Sequence, residues 1–144
     1  MKHTEFISAL DEKRIAGAIA AAEKKTTGQI LAFVSKHETA DPLAAAKKHF
    51  QRLGMHRTKG RNAVLLFVAP RSRTFAIYGD AGIHEKCGDG FWSALRDEMT
   101  THLKEGRYTD ALVHAIAKVG ELLAIHFPAE GDHPNEQPDS VLKD

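Results

Sequence analysis

Two runs of this chain, QILAFVSK over 29–36 and NAVLLFVA over 62–69, are apolar almost without a break. They constrain the fold more than any other feature. A strand wetted on one side alternates polar and apolar residues, whereas a strand with a continuous apolar middle has to be covered on both faces. Both runs therefore read as buried strands. Between them Asp41 caps and Pro42 opens a helix, the position where proline is tolerated. Its expected buried face is Leu43, Ala46, Phe50 and Leu53, and Gly54 ends it. A strand, a helix and a second strand in that order predict two parallel strands joined by a right-handed crossover.

The rest of the chain fits around this unit. The turn PRSR leads into a third strand, TFAIYG, which forms an antiparallel hairpin with the second. Upstream, Ser8 and Asp11 make a capping-box-like start to a first helix. Leu10, Ile15, Ala18, Ile19 and Ala22 recur in it at helical spacing, and TTG (26–28) ends it. Downstream, FWSALRDEMTTHLKEG reads as a helix beginning near Phe91 and closed by Gly106, and YTDALVHAIAKVGELLAIHF as a last helix stopped by Pro128. The order α-β-α-β-β-α-α predicts a three-layer α/β/α sandwich, a small mixed sheet flanked by helices on both faces. Residues 1–128 form one domain in this reading. The acidic, proline-containing segment 129–144 is nearly free of apolar residues and is expected to be disordered.

Composition removes several classes of function. A single cysteine excludes an internal disulfide framework and any Cys-rich zinc site. No apolar run approaches the roughly 20 residues of a membrane helix. The opening MKHTEFISALDEKR lacks the apolar stretch of a signal peptide, so a cytoplasmic location is expected. The formal net charge of +1 hides an uneven layout. Residues 128–144 hold five acids against one lysine, and the rest of the chain holds 19 basic and 14 acidic residues. No acid occurs between Asp41 and Asp80, a stretch containing Lys47, Lys48, Arg52, Arg57, Lys59, Arg61, Arg71 and Arg73. The 47–73 segment is either an anion-attracting surface for nucleic acid or acidic lipid, or a solvated face whose counter-charges lie elsewhere in space.

Topology then gathers residues that are distant in sequence. Parallel first and second strands start at one end of the sheet, and the antiparallel third strand finishes there. Gln29, Asn62 and Asp80 are expected to cluster on this rim, with Lys59 and Arg61 nearby. The segment IYGDAGIHEKCGDGFW (77–92) leaves from it and carries three acids, Asp80, Glu85 and Asp89. A hard cation such as calcium needs six to eight oxygens. These acids with Asn62 are the candidate metal ligands, and Asp80 is the best candidate for a catalytic group. The alternative is structural: Asp89 capping a helix near Phe91, and Asp80 capping a turn around AGIHEK. Lys59 and Arg61 are the candidate anion-binding pair. His84 is a candidate ligand or acid, and Cys87 reads as a half-buried small residue. The chain contains no P-loop and no Cys-x5-Arg nucleophile loop, and no organic cofactor is expected.

The segments AEKKTTGQI, FQRLGMHRTKGRNAVLLFVA, RTFAIYGDAGIHEKCGDGFW, EGRYTDALVHAI and GELLAIHFP resemble, in order and spacing, the TPM domain family. That family takes its name from a thylakoid lumen protein, a photosystem II-associated protein and an acetylcholine-receptor modulator. The resemblance spans about residues 8–128 and is greatest to short cytoplasmic members. It implies an α/β/α sandwich, divalent-cation binding (often calcium) at loops on one rim, and a low acid-phosphatase activity in the plant member. Two positions depart from the family pattern: Gln29 stands where an acid is usual, and Ala63 where glycine is usual. The expectation is a regulatory or interaction module with a modest calcium-binding rim, with a protein or an anionic ligand as partner. The alternatives are a metal-assisted phosphatase-like hydrolase and an anion-binding surface at 47–73.

Overall fold

The computed structural model describes Phe6, residues 10–129 and residues 141–144. Helix α1 (Glu12–Glu23) is capped by Asp11, whose carboxylate accepts from the Arg14 amide at 3.1 Å. Ser8, the expected start of this helix, lies outside the described residues. Strand β1 (Gln29–Val34) is followed by α2 (Pro42–Arg52), capped by Asp41 onto the Ala44 amide. Strand β2 (Ala63–Ala69) and strand β3 (Thr74–Gly79) flank a short 3-10 turn at Pro70–Ser72. Helices α3 (Ala81–Lys104) and α4 (Tyr108–His126) complete the domain, and a two-residue strand β4 (Leu142–Lys143) follows.

The sheet order is β3-β2-β1-β4. β1 and β2 are parallel, in register from Gln29 opposite Ala63 to Val34 opposite Val68. β2 and β3 are antiparallel, with Val64 opposite Gly79 and Ala69 opposite Thr74. Every residue of β1 and β2 is buried, which requires cover on both faces. Alternation supplies two cores. Ile30, Ala32, Val34, Val64, Leu66 and Val68 face α1, α3 and α4, where Ile15, Ile19, Trp92, Leu95, Ile116, Val119 and Leu123 pack onto them. Leu31, Phe33, Leu65 and Phe67 face α2 and the turn after it, meeting Ala46, Phe50 and Met55. The result is the expected three-layer sandwich, with three helices on one face and one on the other.

Three local features differ from the sequence reading. Leu43, placed on the buried face of α2, is 45% exposed, because the first turn of that helix overhangs the sheet edge at β3. The helix expected near Phe91 is present as the second part of α3, but a first helical part already begins at Ala81, where the sequence suggests only a turn, and the two parts meet at a kink at Gly88. There φ is +68° and ψ −173°, a backbone that glycine adopts at little cost. The third is the end of the tail. Residues 130–140 lie outside the described residues, but 141–144 are ordered against β1. Val141 is buried in the three-helix core, Lys143 pairs with Glu12 at 2.7 Å, and Asp144 accepts from the Ser35 hydroxyl and the Lys36 amide at 2.6 and 2.7 Å. An average over the polar tail hides these four residues, of which Val141 and Leu142 join the cores on opposite faces of the sheet. Among the described residues no helix is long and apolar enough to cross a membrane.

Candidate functional site at the Asp80 rim

The start of β2 and the end of β3 meet at one rim because the hairpin register sets Val64 opposite Gly79. The Asp80 amide continues the ladder, donating to the Ala63 carbonyl at 3.0 Å. Asp80 is thereby fixed, 2% exposed, beside the loop that leads into β2. Arg61 from that loop reaches it twice: Nε donates to Oδ2 at 2.7 Å and Nη2 to Oδ1 at 2.9 Å. This bidentate fork is the strong geometry for an arginine and a carboxylate. Oδ1 also accepts from the Ala81 amide at 2.7 Å, which caps α3. The Asp80 hydrogen bond and charge raise the pKa of the half-exposed Arg61 guanidinium above its ordinary value.

The Arg61 backbone is built for this contact. Its φ is +50°, in the left-handed region uncommon for residues with side chains. Its carbonyl accepts from the Gly82 amide at 2.9 Å. A Cβ on Gly82 would stand 2.2 Å from the Gly60 carbonyl oxygen and 2.7 Å from that of Arg61, so only glycine lets α3 approach the loop this closely. Asn62, 1% exposed, ties the rim to β1: its Nδ2 donates to Thr27 Oγ1 at 3.1 Å and its amide to Thr58 Oγ1 at 3.1 Å. Asn62 Oδ1 is buried with no hydrogen-bond partner among the described residues. Thr26 extends the network, donating to the Phe127 carbonyl at 2.5 Å and accepting from the Gly28 amide at 3.0 Å.

Asp80, Asn62 and Arg61 are thus brought together, and Lys59 is exposed on the same loop. Glu85 and Asp89 are not gathered with them. Because the chain enters helix directly after Asp80, Glu85 lies exposed on the first segment of α3. Asp89 follows the Gly88 break and lines a separate cleft of about 400 Å³ with His84, Lys47, Tyr78, Trp92 and Arg96. Asp80 carries the cap that its structural alternative expects, with helix in place of a turn at AGIHEK. Cys87 donates to the Ile83 carbonyl at 3.2 Å, and burial raises its pKa, away from thiolate reactivity.

Against a divalent cation, the rim offers one carboxylate already bridged by an arginine, plus the Asn62 oxygen. Among the described residues no group of three or more His, Cys, Asp or Glu side chains is arranged to hold a metal ion. Six to eight oxygens are wanted for calcium, so these residues do not fit a dedicated site.

Sequence reasoning missed one buried acid. Glu23 is 6% exposed, and its Oε2 accepts from the Ile30 amide at 3.1 Å, tying α1 to β1. Its position eight residues after Ile15 places it on the apolar face of α1, and that was the available signal.

A sequence profile of the TPM domain matches residues 1–122. Among solved structures, the NMR structure of the BA42 protein from the psychrophilic bacterium Bizionia argentinensis superposes with a TM-score of 0.84. It is 38% identical, over 92% of each chain. The N-terminal domain of the cg2496 protein from Corynebacterium glutamicum gives a TM-score of 0.61 at 18% identity, over 87% of this chain and 80% of that one. The N-terminal domain of a protein from P. gingivalis gives 0.60 at 20% identity, over 81% and 76%. These two share the fold. No curated protein sequence matches the chain.

Proposed function

The chain belongs to the TPM domain family, and from that premise we propose that it acts as a non-catalytic regulatory or interaction module. One observation carries the proposal. Asp80, the best-placed acid on the rim, has Oδ1 shared between Arg61 and the Ala81 amide and Oδ2 bonded to Arg61. A nucleophile or general base needs a lone pair aimed at a substrate. Here the carboxylate holds the rim closed and caps α3 instead. Divalent cations bind weakly in this reading, at the exposed Glu85 and Asp89. The outward character of the rim is cationic: Arg57 and Lys59 are exposed with no ion pair among the described residues, and half of Arg61 faces solvent. An acidic group on a partner suits this surface.

The test is turnover of p-nitrophenyl phosphate with calcium, magnesium or manganese from acidic to neutral pH. No turnover is expected. A rate that Asp80→Asn abolishes while the folded spectrum is kept would overturn the proposal in favour of the hydrolase. A calcium titration followed by NMR is expected to move amides near Glu85 and Asp89 without saturating below millimolar concentration. Tight saturation at Asn62 and Asp80 would restore the dedicated cation site.

A further inference from the structure

A second site lies at the opposite end of the hairpin from Asp80. A cavity of about 640 Å³ opens between the β2–β3 turn, the end of α3 and the start of α4. That volume is within the range of about 300–1,000 Å³ typical of small-molecule pockets. Its walls are apolar: Phe6, Val68, Phe75 and Leu103, with the Phe6 ring tilted against Tyr108 at 5.0 Å between centroids. Among the described residues no acid lines it.

The polar groups at the cavity sort into two sets. The Thr100 hydroxyl is committed to the Arg96 carbonyl at 2.9 Å, and that of Thr74 to the Thr39 carbonyl at 3.3 Å. Arg73 and Lys104 are not committed: both are exposed, and neither forms an ion pair or side-chain hydrogen bond among the described residues. The Tyr108 hydroxyl has no hydrogen-bond partner among them either. Arg73 also holds a left-handed backbone, φ +55°, which costs free energy for a residue with a Cβ. That turn would be easier with glycine, yet it presents a guanidinium at the cavity.

We propose that this cavity binds a small amphipathic carboxylate, its apolar body against Phe6, Val68, Phe75 and Leu103 and its acid group between Arg73 and Lys104. The apolar walls reward a hydrocarbon or aromatic body. Arg73 and Lys104 can only donate and the Tyr108 hydroxyl can donate or accept, so an accepting polar end satisfies all three, and two cations with no counter-charge among the described residues select a negative one. This site is independent of the Asp80 rim.

Octanoate, 1-octanol and acetate separate the contributions, titrated into the full chain and followed by amide NMR shifts. Octanoate is expected to saturate, with shifts centred on Thr74, Phe75, Thr100 and Tyr108. Octanol should bind at least roughly tenfold more weakly, and acetate should not saturate, since a hydrogen bond to a charged group is worth about a factor of ten or more. Arg73→Gly suits the local backbone, and Lys104→Gln sits at an exposed helix end. Each is expected to weaken octanoate by about tenfold while leaving octanol unchanged. Three results would each overturn the site: octanol binding as tightly as octanoate, shifts centred elsewhere, or shifts at these residues that appear with protein concentration alone, which marks a contact between two copies.

Discussion

Arg61 and Arg73 stand at opposite ends of the β2–β3 hairpin, and both hold a backbone that residues with side chains seldom adopt, φ +50° and +55°. Their side chains have different fates. Arg61 turns back onto Asp80, which the hairpin ladder sets beside it, and the pair closes the rim. Arg73 meets no acid among the described residues and borders an apolar cavity. Both come from the same acid-free stretch between Asp41 and Asp80. A cationic run is therefore not one surface. The strand ladder decides which arginine finds a carboxylate at hydrogen-bond distance and which is left to solvent or a ligand.

The contrast breaks most completely if the rim is forced open. Gly82→Ala places a methyl against two backbone carbonyls that cannot give way. It is expected to cost about 3 kcal/mol, at the upper end for overpacking, and to lower Tm by about 10 °C in thermal denaturation. Unchanged Tm would mean that the loop and α3 are not held as described.

A smaller break comes from Asp80→Ala, which removes the cap on α3 and the partner of Arg61 together. The expected loss is about 1–2 kcal/mol by denaturant unfolding, set mainly by the cap because Arg61 is half exposed to water. Hydrogen exchange should rise in the Ala81–Cys87 segment and stay unchanged at the Arg73 end.

Glycine at each arginine sharpens the comparison. Arg73→Gly relieves the left-handed backbone and breaks no ion pair among the described residues, so a gain of about 0.5 kcal/mol is expected. Arg61→Gly relieves the same strain but loses the Asp80 fork, so no gain is expected. Equal gains at both ends would show that the ion pair contributes nothing.

The smallest effect concerns pH. His49 stacks beside Phe33 and Phe67, at 4.3 and 5.6 Å, with Arg52 bonded to its Nδ1. Burial, and then Arg52, lower its pKa below the ordinary 6.5. A histidine lowered on folding binds its proton more readily in the unfolded chain. Its contribution is therefore fully present above about pH 6.5 and is lost as pH falls toward the folded value. His49→Phe keeps the stack and should flatten that part of the stability curve between pH 7 and 5. If the two curves stay parallel, His49 is not the source, and acid effects on the rim can be read directly.

The gathering of Asn62 and Asp80 was legible because it depends only on strand order and direction. The apolar runs, the crossover and the hairpin turn settled both. The fate of Glu85 and Asp89 was not legible. Spacings of five and four residues suit a loop folded around an ion, but Asp80 caps a helix at once, and the Gly88 break sends Asp89 to another cleft. The tail was misread at its end for a similar reason, since composition averages over the four residues that pair with β1.

The sequence by itself determined the layers, the parallel pair, the hairpin and the rim on which Asp80 stands. Those follow from apolar periodicity and connection length, which are properties of short stretches. Tertiary structure alone decided that Arg61 would close on Asp80 and that Gly82 would bring α3 against the loop. It also decided that Arg73 and Lys104 would meet across a cavity from elements thirty residues apart. Such outcomes turn on distances of a few tenths of an ångström between side chains remote in sequence, and no local pattern records them.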